Sequence, residues 1–371
     1  MSPAGNARHI PALDGLRGAA ILLVLLWHYF AFTQPYFPGW AGVDLFFVLS
    51  GYLITGRLLA TKQQPHYFSR FYRNRILRIF PLYYTVVIAF LLVAHWGISA
   101  PNQPLFSYYT EHWKSFLVFT QNWTFIAHGR PDNLVLVPLW SIAVEEQFYL
   151  VWPLIIFCTR NPATRQKLFL AGIFLVLALR TAFYLANPPS GESAYYNTFF
   201  RLDGLLAGSL LCQWHAAGKT IRKPVAGIYI LLLLCIIACT LIGNVLPYNA
   251  FFATSGYTIL ALLFTAILHL AVQAGNNPLT RFLSNPILRF CGRISYCLYL
   301  IHVPVLLFIG TKLSILGAKR WPEQATTIHW LAILFSLALS FLLSYLSYRY
   351  FESVFLKLKV NKRLTPEHAK Q

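Results

Sequence analysis

Runs of apolar residues long enough to cross a lipid bilayer recur along the whole chain, and they constrain its fold more than any other feature. A crossing helix needs about 20 predominantly apolar residues, because the hydrocarbon core is about 30 Å thick and each residue rises about 1.5 Å. Runs near this length lie at 13–31, 42–60, 81–97, 139–158, 167–186, 199–214, 225–243, 254–273, 292–310 and 329–350. In lipid, backbone N–H and C=O groups must find partners within the protein, so such runs fold as helices. The expected fold is all-α, a polytopic transmembrane helical bundle of about ten spans. Composition agrees: 57% of the 371 residues are hydrophobic and 11% charged, against about 25% charged in soluble domains. The chain divides into a tail at 1–12, a membrane domain at 13–352 and a basic tail at 353–371. Its length fits one bundle with no large soluble domain.

Charge sets the orientation. The formal net charge of +19 is not read as a nucleic-acid footprint, because no basic segment shows a recognition fold. If both termini face the cytoplasm, about 23 Lys and Arg fall on that side and about 5 on the other, the bias expected of cytoplasmic loops. The first twelve residues are polar, and no small-residue cleavage site follows the first apolar run, so that run reads as an uncleaved span. Segment 62–78 reads as a basic, aromatic helix on the membrane surface, ahead of a third span that begins near Pro81. A stretch from Trp113 to Trp123 is too short to cross and reads as interfacial or re-entrant. The six cysteines, at 158, 212, 235, 239, 291 and 297, fall in spans or at inner helix ends. No disulfide is expected, and no spacing resembles a metal site.

The chemistry starts in the first span. Arg17 and His28 lie eleven residues apart. At about 100° per residue they share one helix face, separated by a rise of about 16 Å. Ionisable residues inside a membrane mark functional sites by default. Asp44, Glu145, Glu146, Arg201 and Asp203 sit at depths similar to that of His28 in their own spans. A histidine with a carboxylate partner is a general-base arrangement. Glu145 or Glu146 is expected to orient His28 and the other to pair with an arginine; structural ion pairs between helices are the alternative reading. His302 reads as either a helix-packing hydrogen bond or a substrate contact, and His269 as packing. On the cytoplasmic side, Arg17 with Arg73, Arg75 and Arg78 forms a candidate anion site, since guanidinium forks suit phosphates. An anion held there, a long arm along the groove and a reactive end at His28 together describe a coenzyme A thioester.

Motifs in order extend this reading. They are Leu13-Asp-Gly-Leu-Arg17 with His28 downstream, Gly42-Val-Asp44-Leu-Phe-Phe-Val-Leu-Ser-Gly51 and Arg75-Ile-Leu-Arg78-Ile-Phe-Pro81. Leu139-Trp140-Ser-Ile-Ala-Val-Glu145-Glu146 and Ile294-Ser295-Tyr296-Cys-Leu-Tyr299-Leu-Ile-His302 follow. With them the chain, over about residues 10–352, resembles the acyltransferase-3 family of bacterial integral-membrane O-acyltransferases. The resemblance implies transfer of an acyl group, usually from cytoplasmic acetyl-CoA, to a hydroxyl of an exported or lipid-linked glycan in the bacterial cytoplasmic membrane. It implies a catalytic His28 and a supporting Arg17. Arg201, Asp203, Trp140, Tyr299 and His302 are the candidate substrate-binding residues. Some relatives carry a fused outer-side hydrolase-like domain, which this chain is expected to lack. A longer acyl donor, a small-molecule acceptor, or a proton-coupled transporter are the other readings.

Overall fold

Helix α1, Pro11–Tyr29, begins at a proline, whose missing N–H is one of the unpaired amides of a first helical turn in any case. It stops at Phe30, whose N–H donates back to the Leu26 carbonyl at 3.2 Å. The computed structural model describes residues 10–97, 103–188, 190–218, 237, 245–273 and 278–359. The remaining long helices that position the site are α2 (Gly42–Thr61), α3 (Tyr67–Gly97), α4 (Trp140–Cys158), α5 (Pro162–Ala186), α6 (Leu202–Ala216), α7 (Tyr257–Val272), α8 (Pro286–Val305) and α9 (Ala325–Leu346). Eight helical stretches among the described residues are long and apolar enough to cross a membrane, as the hydropathy pattern anticipates for a polytopic bundle. The run expected at 199–214 becomes a 3-10 turn, Thr198–Arg201, that leads into α6, and it is not among the eight apolar stretches. The run expected at 225–243 lies outside the described residues, as do Cys235 and Cys239. Cys158, Cys212, Cys291 and Cys297 are free thiols.

One expected boundary is absent. The surface helix at 62–78 and the third span are a single helix, α3, with Pro81 inside it. Proline removes one ladder hydrogen bond, but the residues on both sides keep helical periodicity and a packed face. The Thr85 hydroxyl also binds the Pro81 carbonyl at 2.7 Å. Continuity is what brings the arginines of α3 under the first span.

The core is built on two close helix pairs. Helix α1 runs beside α8, and a Cβ added at Gly18 would lie 2.0 Å from the Leu288 carbonyl oxygen. Only a residue without a side chain permits that approach. Helix α2 packs on α6 in the same way, with Gly51 facing the Leu205 carbonyl at 1.9 Å from a would-be Cβ. Two buried ion pairs lock this second group: Arg201 to Asp44 and Arg180 to Asp203, each at 2.8 Å. The Arg180 guanidinium also donates to Thr258 of α7. The Trp113–Trp123 region forms short helices, Trp113–Leu117 and Gln121–His128. Buried Gln121 and Asn122 bind the Leu139 and Tyr196 carbonyls, which ties this segment onto the start of α4.

Candidate active site

Two cavities open along α1, one toward Arg17 and one toward His28. The basic cavity has a vestibule of about 370 Å³ lined by Arg17, Arg57, Arg70, Asn74, Arg75, Arg78 and Lys359. It continues through Arg17, Leu53, Arg75 and Arg78 into a narrower chamber of about 120 Å³, lined further by Ser50, Ser141, Glu145, Tyr149 and Tyr299. Helical phase explains the arginines: Arg70, Asn74 and Arg78 recur every four residues on α3 and so share a face, with Arg75 adjoining it. Arg17 projects from α1, with the Asp14 carboxylate 4.0 Å away. Lys359 comes from beyond the last helix. Partial burial and the neighbouring charges of Arg78, Arg75, Arg57 and Arg17 lower its pKa to about 7. So many cations around a hollow with one carboxylate lining it suit an anion, and a polyphosphate is the chemistry they fit.

The aromatic cavity, about 410 Å³, is lined by Trp27, His28, Trp40, Arg130, Trp140, Tyr195, Tyr196, Tyr248 and Tyr299, among others. Flat aromatic faces with a few polar groups suit ring-shaped, amphipathic ligands. Arg130 is paired with Glu192 at 2.7 Å.

His28 lines the aromatic cavity. Its Nδ1 is 2.9 Å from the Val24 carbonyl. A carbonyl can only accept, so Nδ1 carries the proton and Nε2 holds the lone pair. His302 obeys the same logic: its Nδ1–H donates to the Tyr299 carbonyl at 2.7 Å. That leaves His302 Nε2 as an acceptor, 3.4 Å from His28 Nδ1. The rings meet edge to face with centroids 4.8 Å apart. A basic nitrogen is thus exposed by a fixed tautomer, the arrangement a general base needs.

The carboxylates are placed differently from the sequence reading. Glu145 accepts from the Tyr149 hydroxyl at 2.9 Å and lines the basic cavity; no hydrogen bond joins it to His28. Glu146 has a buried oxygen without a hydrogen-bond partner and likewise makes none with His28. Asp44 is taken up by Arg201, whose guanidinium is 3.8 Å from the Tyr257 ring centroid and also faces Tyr195 and Trp140. Arg201 and Asp203 are fully buried and line neither cavity. Arg73 is exposed and outside the basic cavity; it lies about 200° around α3 from Arg75, on the other side of the face that carries Arg70, Asn74 and Arg78. Trp140, Tyr299 and His302 do converge near His28, the first two as cavity lining. Sequence reasoning placed Arg70 in the basic 70–78 segment assigned to the anion site but did not single out Arg57 and Lys359. Arg57 precedes the basic 62–78 stretch, near the end of α2, and no local pattern ties Lys359 to α1.

A family profile described as an acyltransferase domain matches residues 10–349. The peptidoglycan O-acetyltransferase OatA of Listeria monocytogenes is 30% identical over 94% of this chain and 56% of its own length. A putative peptidoglycan O-acetyltransferase, YrhL of Bacillus subtilis, is 30% identical over 84% of this chain and 50% of its own. The O-acetyltransferase OatA of Staphylococcus aureus is 28% identical over 82% and 52%. The chain therefore spans about half the length of these curated relatives. No solved structure matches.

Proposed function

Because the chain belongs to this acyltransferase family, we propose that it moves an acetyl group from acetyl-CoA at the cytoplasmic face to a hydroxyl of a cell-envelope glycan. The names of its relatives point to peptidoglycan as the acceptor class. The observation that carries the reading is the division of labour along one helix: Arg17 opens into a cationic cavity and His28 into an aromatic one. Arginines that surround a hollow suit the phosphates of coenzyme A, and the positive-inside bias supports their cytoplasmic side. The pantetheine arm would extend along the narrow chamber toward Tyr299. The acceptor sugar would lie among Trp27, Trp140, Tyr195 and Tyr196. His28 Nε2 takes the proton of the acceptor hydroxyl as its oxygen attacks the thioester carbonyl. The C–S bond then breaks, coenzyme A leaves as the thiolate, and the proton held on His28 returns to it or to water. His302 positions His28 through the Nδ1 contact, a role that fits neither Glu145 nor Glu146.

The test uses inverted membrane vesicles, labelled acetyl-CoA and peptidoglycan fragments. Wild-type protein is expected to label the glycan. His28→Ala should lower single-turnover transfer by about 10²–10⁴-fold, the usual contribution of a positioned base, with coenzyme A affinity unchanged. Near-normal turnover by His28→Ala would remove it from the catalytic role.

A further inference from the structure

The anchor of the donor and the base lie in different cavities, so the acyl group has to pass from one to the other. The wall between them is thin. Val43 and Tyr299 are the two described residues that line both cavities, and both are buried. The Tyr299 hydroxyl donates to the Pro138 carbonyl at 2.8 Å and shares a 2.6 Å hydrogen bond with Ser141. Ser141 lines the basic chamber and Pro138 the aromatic cavity, and both lie at the start of α4, so the hydroxyl is anchored to that one turn. The Tyr299 ring lies 5.7 Å from that of His302, which itself meets His28. Val43, β-branched, is stiff about χ1. The partition is therefore held in place, with the cavity of Arg17 on one side of it and the cavity of His28 on the other.

Reacting atoms must come within about 3–3.5 Å for attack, and Arg17 and His28 are separated by a rise of about 16 Å. A thioester anchored by its phosphates must therefore thread its acyl end past this wall. We infer that Tyr299 and Val43 form the constriction through which the acyl group reaches His28, and that their bulk limits the acyl chain to a short one. The inference rests on the acyl-transfer reading above and names what sets its donor specificity. One methylene in a fitted apolar passage changes selectivity by about 10–200-fold, so removing wall volume should relax the limit.

The experiment compares acetyl-CoA with butyryl-CoA as donors for purified protein, with peptidoglycan fragments as acceptor. The variants are Val43→Ala, Tyr299→Leu and Tyr299→Phe. The butyryl-to-acetyl ratio of kcat/KM should rise about tenfold or more in Val43→Ala and in Tyr299→Leu. Tyr299→Phe, which keeps the ring, should stay near the wild-type ratio. Coenzyme A affinity, set by the arginines, should not move in any of them, which separates a passage from a general loss of structure. Val43→Ala removes only two methyl groups and keeps the test decisive if Tyr299→Leu does not fold. A ratio within twofold of wild type in every folded variant would overturn the inference while leaving acyl transfer intact. Failure of the wild-type protein to transfer from either donor would overturn the parent reading and this one with it.

Discussion

The basic cavity and the aromatic cavity open from the same helix, yet they hold ligands by different physics. The first is lined by Arg17, Arg57, Arg70, Arg75, Arg78 and Lys359 and offers charge. The second is lined by Trp27, Trp40, Trp140, Tyr195, Tyr196 and Tyr248 and offers flat apolar surface with a histidine at its edge. Charge recognition reaches over about a Debye length and weakens with salt. Aromatic stacking is short-ranged and salt-tolerant. A protein that joins an anionic donor to a sugar gains from this separation, because neither ligand competes well for the other's cavity. The difference also divides the cations of the bundle into two kinds. Those around the basic cavity outnumber the carboxylates beside them, Asp14 and Glu145, whereas Arg201 and Arg180 each hold one buried carboxylate, Asp44 and Asp203, and support the aromatic wall from behind.

That division can be broken most severely at Asp44. Asp44→Ala leaves Arg201 buried and unpaired, a change that typically costs about 3–5 kcal/mol. Thermal unfolding in detergent should show a large loss of stability, with a smaller loss in Asp44→Asn. A stable Asp44→Ala protein that had lost only turnover would instead put Asp44 in the catalytic set.

Next in size is the double change Arg75→Gln with Arg78→Gln. Each hydrogen bond to a charged group is worth about 1.5–3 kcal/mol, so coenzyme A affinity should fall by about 100-fold or more. Its salt dependence should flatten, and apparent affinity for the glycan should hold. Equal weakening of both ligands would mean that the two cavities are not energetically separate.

The smallest expected effect sharpens the comparison by pH. Lys359 has its pKa lowered from 10.5 to about 7 by burial and by Arg78, Arg75, Arg57 and Arg17. A bound polyphosphate raises it again. Below pH 7 the free protein already carries this charge; above pH 7 it must take up a proton to bind. Coenzyme A affinity should therefore fall by roughly threefold to tenfold between pH 6.5 and 8.5 through this group. Lys359→Gln should remove that slope. Glycan binding should show no matching change, and an unaltered slope in Lys359→Gln would take Lys359 out of the anion site.

The sequence alone determined the class of fold and the axis of the site. Apolar run length specifies crossing helices because lipid leaves no other way to satisfy the backbone. Helical phase puts Arg17 and His28 on one face because 3.6 residues per turn is a local property. The sequence reading grouped Arg73 with Arg75 and Arg78, whereas the fold leaves Arg73 exposed and outside the cavity that Arg75 and Arg78 line. Which residue touches which across helices was decided by tertiary structure. Glu145, Glu146 and Asp44 had depths similar to that of His28 in the sequence, yet His28 meets His302, Glu145 meets Tyr149 and Asp44 meets Arg201. Depth along a span is readable from hydropathy, but each helix's rotation and neighbours are fixed by packing. Here they follow from glycine contacts such as Gly18 on Leu288 and Gly51 on Leu205, which no period in the chain records.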